Sequence, residues 1–424
     1  MDWTWGRARR AVCHHRSMAT DAASIALDSP APAAGRTLAA AGLNHALHDG
    51  YTDLIYILLP VWQAEFGLGY AALALLRTLY SGVMALLQIP ATRLAQRFGT
   101  RAVLLAGTVL SACGYALAGA SGGLLGLCVA LAIGGAGSST QHPLASAVVS
   151  RAYGQAARGP LGTYNFAGDL GKASVPLLVG FLLSFVNWRS ALWMVAALGL
   201  VVAVTLGVLL PRERPAAVAA DAQKKPHTPA RANAGGSGFW LLVAIGALDN
   251  AARPAFLLYL PFLLKAKGAA LATVGLALSL VFIGGALGKA AFGWLGERLG
   301  VARTVLLTEA ATALGIVGVI ALPLAPSLVL LPVLGAMLNG TSSVLYGTVP
   351  ELAPGGRVER AFGIFYTCTL GASALAMPLL YGPLGDMFGP RWAALGSAVT
   401  ALAAVPLMIA LAPRLVTAGR GGDR

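Results

Sequence analysis

Charge is scarce in this chain. Asp, Glu, Lys and Arg together make up 11% of its 424 residues, against roughly a quarter in ordinary soluble domains. With 57% hydrophobic residues and a mean hydropathy of +0.73, that scarcity excludes a water-soluble globular protein. Cysteine is sparse too. Cys113, Cys128 and Cys368 lie in apolar stretches and Cys13 near the start, with no metal-ligand spacing and no disulfide framework, and Cys13-His14-His15 is not read as a metal site. There is no GxxxxGK[ST] phosphate loop, no HExxH and no soluble catalytic domain. The expectation is therefore no enzyme, no cofactor and no resident metal. The first 17 residues, with Trp3, Trp5, Arg7, Arg9, Arg10 and Arg16, lack the apolar stretch of a signal peptide, and Met18 would serve as a start as well as Met1.

What is abundant is long apolar runs. Stretches of about 20 residues, enough to cross about 30 Å of hydrocarbon, recur near 38–60, 70–92, 102–120, 124–150, 160–184, 190–210, 239–263, 270–293, 302–322, 328–349, 361–385 and 391–412. These are spans 1 to 12 of an all-α polytopic membrane protein whose partner is the lipid bilayer. A Pro-, Ala- and Gly-rich charged stretch at 211–238 reads as a flexible linker. The expected domains are a tail (1–37), a six-helix bundle (38–210), the linker (211–238), a second six-helix bundle (239–412) and a C-terminal tail (413–424). The net charge of +14 follows topology rather than a nucleic-acid partner: with the N-terminus inside, 22 of the 30 Lys and Arg fall on the cytoplasmic side. The positive-inside rule then puts both termini in the cytoplasm.

The halves repeat at an offset of about 201 residues. Pro60 falls on Pro261, His48-Asp49 on Asp249-Asn250, Thr92–Arg101 on Gly293–Arg303, and Gly137-Ser138-Ser139 near Gly340-Thr341-Ser342-Ser343. Gly162, Pro176 and Gly180 fall near Gly363, Pro378 and Gly382, and Arg158 matches Arg360. An ordered series at a nearly constant shift indicates two pseudo-symmetric six-helix bundles.

Against this apolar background the charged and polar residues within spans stand out. Gly42–Trp62 is long enough to span, yet Asn44, His48, Thr52 and Tyr56 form one i,i+4 row and His45, Asp49 and Asp53 the adjacent row. An ionisable group at the bilayer centre costs about 2.5–3.5 kcal/mol on insertion scales, so such residues mark a watery ion or substrate path. Asp49 and Asp249-Asn250 occupy equivalent places in spans 1 and 7, and both are expected to meet at the cavity between the halves. Asp49 reads as a proton-carrying carboxylate with His48 or His45 as its partner; the bland alternative is a permanent structural pair. Asp53 and Arg77 fit a structural ion pair as readily as a functional one. Asp169 with Lys172 at i,i+3, and Asp249 with Arg253 at i,i+4, are spaced for local ion pairs that would neutralise each other or open to hold an anion. Lys289 is expected to snorkel, and Glu309, close to the cytoplasmic end of span 9, to reach water or Arg303.

The two six-helix halves, the long central linker and the loops after spans 2 and 8 resemble the major facilitator superfamily of secondary transporters. The second loop, Gly293-Trp-Leu-Gly-Glu297-Arg298-Leu-Gly300, is a fair match to the family's GxxxDRxGRR; the first has Thr92 for the glycine and Gln96 for the acid. In that family the acid helps lock the halves on the cytoplasmic side, so Arg97, Glu297 and Arg298 are gating candidates. Within it, LNHALHDGYTDLIYILLPVWQAEFGL, GAGSSTQHPLAS and YNFAGDLGKASVPLL resemble the fosmidomycin resistance protein family. The last run departs at Asp169, Lys172 and Val175, where small or amide residues and a glycine are expected. The resemblance implies a cavity lined by spans 1, 4, 7 and 10, with spans 3, 6, 9 and 12 as outer scaffold. It also implies a monomer in the bacterial inner membrane that exports small, anionic compounds in exchange for protons. Proton-coupling candidates are then Asp49, His48, His45, Asp169 and Asp249. Substrate-binding candidates are Asn44, Tyr51, Asp53, Arg77, His142, Lys172, Asn250 and Arg253. Uptake of an organic anion fits the same residues; a membrane sensor is disfavoured because neither tail nor linker contains an effector domain.

Overall fold

In hydrocarbon every backbone N–H must find its partner within its own segment, and the chain answers with helices throughout. The computed structural model describes residues 32–211 and 236–420. Cys13, Met18 and most of the expected N-terminal tail and linker, together with residues 421–424, lie outside the described residues. Span 1 is the helix Pro32–Phe66, followed by Tyr70–Phe98, Thr100–Ala120, a broken fourth span (Leu124–Ser138 and Gln141–Tyr153), Arg158–Leu182 and Trp188–Leu209. The second half repeats the plan: Gly236–Ala266, Leu271–Leu299, Val301–Ala321, Leu324–Thr348, a composite eleventh span (Val358–Ala376, a π-helical turn Met377–Tyr381, and Gly382–Phe388), and Pro390–Arg420. Spans 1 and 12 thus run several residues into the expected tails. Ten of the twelve spans are long and apolar enough to cross a membrane; spans 1 and 5, which carry Asp49, Asp53, Asp169 and Lys172, are not among those ten.

The duplication is visible in the turns. Gly67 and Gly268, Gly99 and Gly300, and Gly154 and Gly355 are three pairs each separated by 201 residues, and all six have positive φ, from 53° to 87°. Only glycine adopts that conformation without a Cβ penalty, so the same sharp reversals recur in both halves. Span 4 breaks at Ser139-Thr140 because Pro143 has no N–H to give and its ring crowds the carbonyl of Ser139. The break sets His142 in the first turn of the second helix.

Within each half, span 3 packs on spans 4 and 6, and span 10 on spans 8 and 9. Spans 1 and 5 approach so closely that a Cβ on Gly171 would run into the backbone of Ala46, and one on Gly50 into Val175. Between the halves, span 5 meets span 8 and span 2 meets span 11, and both contacts are tightest at the outer ends. A Cβ at Gly275 would lie 2.7 Å from the Pro176 carbonyl, and one at Gly382 2.5 Å from Ala71 Cα. The Asp386 carboxylate accepts the Tyr70 and Ala71 backbone N–H groups at 2.5 and 3.1 Å, capping the N-terminus of span 2 from the opposite half. At the inner ends, by contrast, added methyls at Gly159, Gly162, Gly293 and Gly363 would meet nothing within 4 Å. The molecule is closed on its outer side and open toward the side that bears most of the Lys and Arg.

Two outcomes follow from this packing. Asp386→Asn weakens a carboxylate–helix-terminus interaction that contributes about 1 kcal/mol, so the outward-open population should rise about five-fold. Distances between spin labels at Ala64 and Ala266, on the outer ends of spans 1 and 7, report it. Gly171→Ala should cost about 1–3 kcal/mol by overpacking and lower the unfolding temperature in detergent. Gly162→Ala, on the open inner stretch of the same span, should not.

Candidate functional site

The second polar row of span 1 faces the space between the halves. Asp49, 5% exposed, is the hub. Its Oδ2 lies 3.2 Å from His45 Nε2, one turn back on the same helix, and 3.2 Å from Lys172 Nζ on span 5; its Oδ1 lies 3.5 Å from His142 Nε2 on span 4. His142 and Lys172 keep 41% and 29% of their side-chain surface open, which is the face offered to a ligand. Gly168 is what lets span 5 come this close: a Cβ there would fall 2.6 Å from His45 Nε2 and 2.8 Å from Asp49 Oδ2.

The proton count at this hub is set by a neighbour that sequence reading does not single out. His45 Nδ1 lies 2.8 Å from the Tyr164 carbonyl oxygen, and the imidazole stacks on the Tyr164 ring with centroids 4.2 Å apart. A carbonyl only accepts, so Nδ1 must carry the hydrogen. A neutral ring would then present a bare lone pair at Nε2 to an ionised carboxylate. The contact is favourable only if one more proton lies between His45 and Asp49, as imidazolium and carboxylate or as imidazole and carboxylic acid. Gln141 Nε2 in turn donates to the Tyr164 hydroxyl at 2.7 Å and holds that ring in place.

His45, Asp49 and His142 also bring three ligand atoms within 4.8 Å of one another, the donor types of a transition-metal site. The Lys172 ammonium already sits on the shared carboxylate, so the set is arranged around a cationic side chain and a proton.

From Asp49 the charges run across the interface. Lys172 lies 3.8 Å from Asp169, and Asp169 Oδ1 accepts Lys289 Nζ of span 8 at 2.6 Å. The expected Asp169–Lys172 pair is thus the longer of two contacts, and Lys289 bridges the halves instead of snorkelling. One turn outward Arg77 meets Asp53 at 3.5 Å and stacks on Tyr56, its Cζ 4.8 Å from the ring centroid.

Several candidates point elsewhere. His48 is not bonded to Asp49; its ring lies 2.9 Å from Ser138 Oγ and 3.2 Å from Thr108 Oγ1, buried against spans 3 and 4. Asn44 accepts from Thr108 at 3.0 Å, and the Tyr51 hydroxyl donates to the Val195 carbonyl at 2.7 Å; both side chains are fully buried, away from the cavity. Arg253 does not pair with Asp249. It donates to Asn339 Oδ1 at 2.9 Å and Asn250 Oδ1 at 3.3 Å, and Asn250 donates to the Thr369 carbonyl at 2.9 Å. Glu309 reaches neither water nor Arg303, being 2% exposed. Arg97, Glu297 and Arg298 are exposed at the inner ends of spans 2 and 8, with Arg298 stacked on Trp294 at 4.1 Å. Among the described residues they have no ion pair across the halves, as an inward-open form requires.

Comparison with known proteins agrees with this architecture. The pattern of the Major Facilitator Superfamily matches residues 41–262 and again 239–421. The fosmidomycin resistance protein of Escherichia coli (strain K12) is 26% identical over 167 residues, which is 39% of this chain and 41% of that protein. The alignment therefore spans about two fifths of the relative's length. In fold, the chain resembles an inward-facing, unoccupied bacterial homologue of the human lysosomal transporter Spinster (TM-score 0.71, 16% identity, 92% of this chain and 98% of that one). It also resembles the nucleoside transporter NupG (TM-score 0.70, 14% identity, 90% and 99%) and a peptide transporter, POT, solved with sulfate (TM-score 0.69, 16% identity, 91% and 95%). Both halves match, and the chain belongs to the major facilitator superfamily: it is a multi-pass membrane protein and a secondary transporter, not an enzyme.

Proposed function

We propose that the chain is a proton-coupled exporter of small organic anions in the bacterial cytoplasmic membrane, acting as a monomer, with fosmidomycin-like phosphonates as the first substrates to try. The observation that carries the reading is the His45–Asp49 contact, whose geometry supports a bound proton. The charge balance supports an anion. His45 with that proton, Lys172, Arg77 and Lys289 set four positive charges against Asp49, Asp53 and Asp169. One positive charge is left to attract a ligand. The match to the fosmidomycin resistance protein supports the class of compound.

In this mechanism an anion enters from the inner side and takes up Lys172 and His142, the two exposed partners of Asp49. Lys172 seated on Asp49 favours the bare carboxylate, so the His45–Asp49 unit gives up its proton to the inner side before the anion draws Lys172 away. With that cation gone Asp49 is readied to take a proton again, and substrate and proton use one carboxylate in turn. Rocking of the halves then carries the site outward, opening the contact capped by Asp386 and closing the inner ends. There the anion leaves, a proton from the outer medium restores the His45–Asp49 unit, and the protonated site rocks back to the inner side.

The test is a susceptibility panel in an efflux-deficient bacterial host, with phosphonate antibiotics, other organic anions and cationic drugs. Wild type should protect against fosmidomycin-like anions, and Asp49→Asn, at equal expression, should fall to the empty-vector level. Increased sensitivity to an anionic compound would reverse the assigned direction and make the chain an importer of organic anions. No effect on any compound would remove the export reading.

A further inference from the structure

The shift of 201 residues that relates the halves carries His48 to Asp249 and Thr108 to Glu309; Ser138 falls on Asn339, with the hydroxyls of Thr341 and Ser342 two and three residues further on. In the N-terminal half these positions form a neutral cluster, an imidazole between two hydroxyls. In the C-terminal half the equivalent cluster contains two acids. Asp249 is 7% exposed and Glu309 2%, and their carboxyl groups meet within hydrogen-bonding reach.

The surroundings treat the two acids differently. Asp249 accepts from the Ser342 hydroxyl at 2.9 Å and lines a small cavity with Asn250, Tyr346 and Thr369. Glu309 lies behind it, within reach of the Thr341 hydroxyl, and its Oε1 is buried with no hydrogen-bond partner. The other charged or titratable groups nearby are Arg253 of span 7, engaged by Asn339 and Asn250, and Tyr346 of span 10. Span 11 offers Phe365 and Thr369 to the cavity, neither of them titratable, and span 12 packs Ala404 and Met408 alongside. Among the described residues no cation reaches Glu309. Two buried carboxylates in contact cannot both be ionised, because each would lose solvation and repel the other.

We infer that Asp249 and Glu309 form a second proton-binding site, in which a protonated Glu309 donates a hydrogen bond to the Asp249 carboxylate. The proton enters and leaves through Asp249, the member of the pair that faces the cavity. This site lies in the other half of the molecule from Asp49, and the inference goes beyond the export reading without depending on which compound is moved.

Infrared spectra of the purified full chain in detergent at neutral pH test this directly and need no substrate. Glu309→Gln should remove one protonated-carboxyl C=O band. Asp249→Asn should keep that band but shift its frequency, since a neutral amide replaces the charged carboxylate that accepts its hydrogen bond. Both changes preserve side-chain shape, and a monodisperse elution profile with unchanged helical circular dichroism establishes the fold. If Glu309→Gln removes only carboxylate absorption, Glu309 is ionised and the inference fails. It also fails if Asp249→Asn leaves the band unmoved, a result that decides the matter even if Glu309→Gln cannot be purified. If sodium chloride added at fixed pH abolishes the band, the pair holds a metal cation rather than a proton, and the inference is again overturned. Loss of drug protection in the panel above would leave this result untouched, and the reverse holds equally.

Discussion

A carbonyl oxygen cannot donate, and the Tyr164 carbonyl stands 2.8 Å from His45 Nδ1. From that constraint the tautomer of His45 follows, then the need for a proton between His45 and Asp49, and then the dependence of Asp49 on the cations beside it. The surrounding sequence keeps this arrangement in place. Gly168 and Gly171 admit span 5 against span 1, Gln141 fixes the Tyr164 ring, and the break before Pro143 delivers His142 to the free side of the carboxylate.

The two halves share a backbone plan but divide the electrostatics. Span 1 gathers its cations from spans 4 and 5, and the chain Lys172–Asp169–Lys289 carries the charge balance across the interface to span 8. Span 7 instead meets a second acid from span 9, with its arginine turned to amides. In a rocking mechanism a contact that joins the halves must be breakable. The Lys289–Asp169 pair is partly open to water, with side-chain exposures of 40% and 16%, and its hydration limits the cost of separating it. The Asp386 cap on span 2 is similarly exposed. The groups that must part are wet, whereas those that stay together, such as the His48–Ser138–Thr108 cluster, are dry.

Most of the fold was legible because it is local. Apolar runs give spans, and positions recurring at 201 residues give the duplication, down to the glycines that turn the chain. The row containing His45 and Asp49 was legible too, because helical period alone puts them one turn apart. Which row faces the cavity was not. The row of Asn44 and His48 is as polar, and only the positions of Thr108 and Ser138 on spans 3 and 4 decide that it turns inward to the scaffold. Arg253 and Lys289 escaped for the same reason: their partners lie on other spans, and nothing local favours Asn339 over Asp249 or Asp169 over the interface. Glu309 was placed near water by its distance from the helix end, yet span 9 is covered there. Asp386 near the outer end of span 11 gave no signal at all, since its acceptors' partners are backbone groups of a helix in the other half.

The claim at the centre of this account is that anion and proton are exchanged, in turn, through Asp49. Proteoliposomes loaded with a pH-sensitive dye test it most directly, with fosmidomycin added on one side and drug and proton fluxes followed together. The account requires proton movement opposite to the drug in wild type, and loss of both fluxes from net transport in Asp49→Asn. Drug flux in wild type with no accompanying proton flux would contradict it.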